Sequence, residues 1–238
     1  MGNVMESPVN SIGRAPKPHE VRSEATRQRI LQAAHNQFVQ NGLEGTRMEA
    51  IAKEAGLNKS LVYRHFSDRE NLYRRVLQRA YQHMRTAEAE LSLPSDPLEA
   101  LDKLISFTLN YYIENPDFLV LVGIENLKRG EHLKLIGSEQ LLVPALVSTY
   151  KKIAETGISE KLFRENLNPV ELYTVVASQC WFTVATQYTF GITFDIDLHD
   201  KDFIKRREML IRDNVRRWVL RQPSDIPSNE LTAPTSSN

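Results

Sequence analysis

Apolar side chains in this chain return every three or four residues, the spacing of one face of an α-helix, and no stretch reads as a strand hairpin. Ile30, Ala33, Ala34 and Phe38 predict a first helix from about Glu24 to Asn41, closed by Gly42. Ile51, Ala52 and Ala55 give a short second helix, with Thr46 and Glu49 in capping-box spacing at its start and Gly56 at its end. Asn58 is placed to cap a third, whose Val62 and Phe66 share one face. Phe38, Leu43, Ile51, Leu57, Val62 and Phe66 then form one small core. Ser67-Asp68-Arg69-Glu70 repeats the capping-box pattern and opens a long helix to about Leu91, striped by Leu72, Val76, Ala80 and Met84.

The segment Leu93-Pro94-Ser95-Asp96-Pro97 punctuates the chain and marks the start of a second region. Leu101, Leu104, Ile105, Thr108, Leu109 and Tyr112 predict a helix over Leu98 to Glu114, ended by Asn115-Pro116. A shorter one spans Asp117 to Arg129 and stops at Gly130. Another runs from about Glu131 to Glu155, with Pro144 as a kink or a restart. Gly157 to Pro169 is a polar connection containing Phe163. Leu172 to Phe194 carries no charge and is long enough to span a bilayer. Its eight Thr, Ser and Gln side chains suit a helix buried in protein instead, so no membrane partner is expected. An acidic loop, Asp195 to Asp202, leads into a final amphipathic helix from Asp202 to about Leu220. The fold class is all-α.

A length of 238 residues with 41% hydrophobic content supports a sizeable core. Cys180 is the single cysteine, which excludes a disulfide framework or a cysteine-rich zinc site within the chain and suits a reducing cytoplasm. Net charge is zero, but residues 14–85 hold 14 Lys and Arg against 7 Asp and Glu, and the remainder 16 against 23. A basic first third on an acidic remainder is the asymmetry of a head that meets phosphate on a body that does not. The first residues lack the apolar core of a secretory signal. Pro, Ser and Asn make them an expected mobile arm, with weak phosphate attraction from Arg14, Lys17 and Arg22.

Two short helices joined by a glycine turn, the second presenting Lys59, Ser60, Tyr63 and Arg64, form the helix-turn-helix arrangement that enters a DNA major groove. The stretch resembles the DNA-binding domain of the TetR/AcrR family of bacterial transcriptional regulators. Thr46, Ile51-Ala52, Ala55-Gly56 and Tyr63-Arg64-His65-Phe66 stand at that family's spacing, and the match extends from about Thr26 to Leu77. Leu61 departs from the pattern, which often has a small polar residue there.

Composition marks a disordered basic arm (1–22) and a disordered tail (222–238), and the resemblance implies about nine helices between them, in a helix-turn-helix head (23–68) and a ligand-binding and dimerisation domain (69–221). It implies a homodimer on palindromic double-stranded operator DNA, most often a repressor, whose affinity an unidentified small-molecule effector alters. For DNA, Thr46, Lys59 and Arg69 are the expected phosphate contacts, Tyr63 and His65 backbone donors, and Ser60 and Arg64 candidates for base edges. Leu61 has only shape to offer, against a thymine methyl. Phe107, Tyr111, Phe118, Asn126, His132, Gln179, Trp181 and Gln187 are the pocket candidates. Val176, Thr183 and Tyr188, with Phe203, Leu210, Val215 and Trp218, are expected in a four-helix dimer seam.

Catalysis finds no footing. There is no Gly-x-x-x-x-Gly-Lys, Gly-x-Ser-x-Gly, His-Glu-x-x-His or Glu-x-x-His, and no two histidines stand at metal-ligand spacing, so no cofactor or metal is expected. The rival readings are an all-α small-molecule-binding enzyme with a vestigial head and a ligand-independent DNA-binding protein.

Overall fold

A computed structural model describes residues 17–222, which form eleven α-helices and no strand beyond a single bridge between Phe163 and Leu220. The first helix, α1 (Pro18–Gly45), starts earlier than its apolar spacing predicts. Pro18 occupies the first turn, where a missing N–H leaves nothing unsatisfied, and the Lys17 N–H donates to the Glu20 carboxylate at 2.7 Å. Residues 18–22, expected in a disordered arm, are therefore helical. The rest of that arm, 1–16, and the expected tail from 223 onward lie outside the described residues.

Next come α2 (Met48–Glu54), α3 (Lys59–His65) and α4 (Arg69–Ala89). Gly56, at φ 63°, supplies the left-handed turn after α2, as its position predicts, whereas Gly42, at φ 67°, kinks the last turn of α1 and the helix runs on to Gly45. Two expected caps fall elsewhere. Thr46 does not cap α2, whose N-cap residue is Arg47 and which has no side-chain cap; Thr46 is 1% exposed, and its hydroxyl lies 2.7 Å from the Gly42 carbonyl and 3.0 Å from that of Gln37. It ties off α1 instead. At α4 the cap is Asp68, which accepts from the Asn71 N–H at 2.6 Å while the Ser67 hydroxyl donates to its other oxygen at 2.8 Å.

The head core gathers Ile30, Phe38, Ile51, Val62 and Phe66, but also Leu72, Tyr73, Val76 and Leu77 from α4. Leu121, Ile136 and Leu141 from further along the chain close it. A boundary at residue 68 therefore divides the sequence but not the packing, because α4 serves both cores: Met84 is buried in the second, and Ala80, Tyr81 and Ala87 pack against it.

The body holds α5 (Pro97–Glu114), α6 (Pro116–Leu127), α7 (Glu131–Ile136), α8 (Val143–Ser159), α9 (Pro169–Ala185), α10 (Gln187–Phe194) and α11 (Lys201–Val219). The expected helix from Glu131 to Glu155 is two helices, with the second restarting around Pro144. The uncharged stretch likewise breaks at Thr186 into α9 and α10. Helix α5 packs on α8, α9 and α11, while α6 lies on α1 and α7 on α4. Phe163, in the connection after α8, is fully buried against Gly157, where a Cβ would come 2.2 Å from its ring. Among the described residues no helix is long and apolar enough to cross a membrane.

One buried ion pair interrupts the body core. Arg85 Nη1 lies 2.5 Å from Glu88 Oε2, and Arg85 Nη2 donates to the Tyr173 hydroxyl at 3.1 Å. Burial pushes the Glu88 carboxyl up, against the pull of Arg85. Replacing one partner alone would leave a charge stranded in an apolar interior.

Candidate nucleic-acid interface and ligand cavity

The second half of the helix-turn-helix is held from three sides. Asn58 accepts from the Leu61 N–H at 2.8 Å and fixes the first turn of α3, and Val62 is sunk into the head core. From α1, Arg29 Nη2 donates to the Ala55 carbonyl at 2.6 Å and so closes the turn around Gly56. Asn36 and Gln37 donate to the two oxygens of Glu54, at 2.7 and 2.6 Å, anchoring the end of α2. Sequence reasoning missed these three α1 residues, Arg29, Asn36 and Gln37, whose partners stand 17 to 26 positions away.

Lys59, Ser60, Tyr63 and Arg64 are exposed on the free side of α3, as their spacing predicts. Lys59 pairs with Glu49 and lies 5.6 Å from the centre of the Tyr63 ring. That pairing holds the Glu49 carboxyl below the usual carboxylate range and raises the Lys59 ammonium. Leu61 and His65 are half-buried, in a cleft with His19, Arg22, Ser23 and Thr26 of α1 and with Arg64. Two expected phosphate contacts are otherwise engaged. The Thr46 hydroxyl faces inward, and the Arg69 guanidinium lies 2.9 Å from Glu70 and 3.4 Å from Glu44. Glu44 also pairs with Lys128, at the end of α6, so Arg69 belongs to a polar tie between head and body.

A cavity of about 560 Å³ opens at that same seam, between α1, α4, α5 and α6. Leu31 and His35 wall it from the head, Arg79 and His83 from α4, and Tyr111 and Phe118 from the body. His83 Nδ1 lies 2.7 Å from the Tyr111 hydroxyl, and burial pushes that phenol up to about 12. His35 Nε2 lies 3.0 Å from Asp117 Oδ2, joining α1 to α6 across the mouth.

Of the eight pocket candidates, Tyr111 and Phe118 line this cavity, and Phe107 packs behind Tyr111 with ring centres 5.7 Å apart. The other five are elsewhere. Asn126 is exposed and donates to the Val122 carbonyl of its own helix at 3.0 Å. His132 is buried against Tyr73, and its backbone N–H donates to Glu125 at 2.7 Å. Gln179 bonds Asn214 across α9 and α11 at 3.1 Å, and Trp181 and Gln187 lie on the outer side of α9 and at the start of α10. The α1 lining was not legible, because a helix stripe reveals what faces the head core and not what stands behind it.

The expected seam also divides. Val176, Thr183 and Val215 are buried within the single chain, so they pack the body core rather than a partner. Tyr188 and Leu210 are exposed, and Phe203 and Trp218 half-buried, the latter under the Arg164 guanidinium at 4.1 Å. Around them stand residues the sequence did not single out: Phe182, Ile192 (84% exposed), Phe194 and Met209.

The comparisons agree with this geometry. Residues 30–76 match the model of the bacterial regulatory proteins of the tetR family, and residues 97–215 that of the tetracyclin repressor-like C-terminal domain. The chain is 33% identical over 181 residues to the HTH-type transcriptional repressor NicS of Pseudomonas putida, covering 76% of this chain and 85% of that one. It is 32% identical over 107 residues to the repressor SCO4008 of Streptomyces coelicolor, 45% of this chain and 53% of that one. Among solved structures, SCO4942 of Streptomyces coelicolor superposes with a TM-score of 0.61 at 22% identity, over 83% of this chain and 99% of that one. The ketosteroid regulator KstR2 of Mycobacterium tuberculosis does so with 0.56 at 18%, over 82% and 95%. With a helix-turn-helix head, a helical body and both family domains in order, this chain belongs to the TetR family of DNA-binding transcriptional regulators and is not an enzyme.

Proposed function

We propose that the protein is a ligand-responsive repressor that binds a palindromic operator as a homodimer and releases it when a small molecule enters the seam cavity. The observation that carries this reading is the double use of α1. The helix that pins the recognition turn through Arg29, Asn36 and Gln37 also supplies Leu31 and His35 to the cavity wall. An occupant that displaces α1 from α6 therefore moves α3 with it, and only differential contact with the two arrangements is needed to shift the equilibrium. The apolar surface of α9, α10 and α11 supports pairing with a second copy, which would place two α3 helices on one face of a duplex. Both relatives named as repressors favour that sign of control.

In this reading Ser60 and Tyr63 meet the groove and Lys59 a phosphate, exchanging its Glu49 partner for DNA. Selection of duplexes from a random pool by the full chain tests it. The expected outcome is a twofold-symmetric sequence, with Lys59→Ala weakening all duplexes alike and flattening the log–log salt slope by about one unit. Recovery of no preferred sequence would refute the operator reading.

A further inference from the structure

The first turns of α1 run beside the recognition helix with residues 17–25 all exposed. Their side chains are sorted by face. His19, Arg22, Ser23 and Thr26 fall at i, i+3, i+4 and i+7, one stripe of the helix, and all four line the cleft shared with α3. Glu20 and Glu24 fall outside that stripe, where Glu20 receives the Lys17 N–H and Glu24 the Gln28 amide. Across the cleft α3 contributes Leu61, Arg64 and His65, again at i, i+3 and i+4. No acid lines the cleft, and among the described residues neither Arg22 nor Arg64 has a side-chain hydrogen bond or ion pair.

Resting on the reading that α3 enters duplex DNA, we infer that this cleft is a clamp for a backbone phosphate. The basic stripe of α1 and the facing side of α3 grip the sugar–phosphate strand bordering the groove. Two guanidinium groups facing one gap without a counter-charge repel each other until an anion lies between them. Arginine suits that anion because its fork of donors matches phosphate oxygens. The Ser23 and Thr26 hydroxyls and the His19 and His65 rings offer further donors around the same gap. Arg64 then serves position more than sequence, and Leu61 forms part of the cleft wall rather than a reader of thymine methyls. The α1 extension becomes a second DNA-contacting element, rigid where a flexible arm was expected.

The test is fluorescence anisotropy with the full chain on two duplexes, one selected by the wild-type protein and one of scrambled sequence, each titrated across salt. Arg22→Ala should weaken both by the same factor, about three- to tenfold, and flatten the slope by about one unit. Arg22→Ala with Arg64→Ala should flatten it by about two, Arg22→Lys should restore most of the loss, and Glu20→Gln, off the stripe, should leave the slope unchanged. Alanine preserves helix propensity, and circular dichroism of each variant checks that its helix content is kept. An unchanged slope for Arg22→Ala, when Lys59→Ala does flatten it, would overturn the clamp and leave the operator reading intact. A loss confined to the selected duplex would overturn it too, by making Arg22 a base reader. If the wild type binds neither duplex, the DNA reading itself falls and the clamp with it.

Discussion

Asp68 decides where α4 begins. Its carboxylate takes the Asn71 N–H and the Ser67 hydroxyl, and these two donors hold it below the usual carboxylate range. A lowered folded pKa means that its contribution is present above the ordinary carboxylate range and fades as pH falls through the folded value. Asp68→Ala is expected to cost about 1 kcal/mol near neutral pH and to converge on the wild type in acid. Urea unfolding at the two pH values checks this; an equal difference at both would remove the charge from the account. The cap lies one residue past the Ser67 that the capping-box spacing marks, so local sequence comes close but misses by one. Asn58 and Gly56 act within three residues of themselves, and their roles could be read directly from spacing. Thr46 could not, since one of its hydroxyl partners is the Gln37 carbonyl nine residues back, which is reached only because the chain turns at Gly42.

At the scale of elements, α1 is the strut that everything else uses. Its inward stripe of Ile30, Ala34 and Phe38 was visible as a helical period. Its other faces carry the turn pin, the cavity wall and the basic stripe, and spacing alone, even the stripe's i, i+3, i+4, i+7 run, does not say what any of them meets, because that depends on which element arrives opposite. Arg29 is the sharpest case: a lone arginine in sequence, but in the fold the donor that closes the α2–α3 turn. Arg29→Ala should cost about 1.5–3 kcal/mol, as for one hydrogen bond from a charged group. It should also lower operator affinity with no change in salt slope, because the lost contact is not with phosphate. A flatter slope would show that Arg29 reaches DNA itself. Gln179, Trp181 and Gln187 stand away from the seam cavity for a related reason. Aromatic and amide residues mark places where packing matters, but not which surface of α9 faces the core and which faces out.

For the whole molecule, the exposed apolar surface of α9, α10 and α11 and the cavity at the seam are the two places where the proposed couplings, to a second copy and to an effector, would act. Ile192 stands at 84% exposure amid Tyr188, Phe182 and Phe194, an arrangement that a second copy would bury. Ile192→Asp should leave the monomer's stability within about 0.5 kcal/mol, the usual range for a surface site, while shifting the molecule to monomers in sedimentation. An intact dimer at low concentration would move the interface elsewhere. Val176, Thr183 and Val215, by contrast, belong to the body core and should behave as core residues do.

The central claim is that occupancy of the cavity between α1, α4, α5 and α6 is read by the recognition helix. It is tested most directly by filling the cavity permanently. Ala80 lines it and is partly buried between the two cores, so Ala80→Phe places a ring in the space an effector would take. The measurement is the affinity of this variant, as a folded dimer, for the operator selected by the wild type. A loss of about tenfold or more, with the dimer and its melting temperature largely kept, is the predicted result. Unaltered affinity in a variant whose cavity is filled would contradict it.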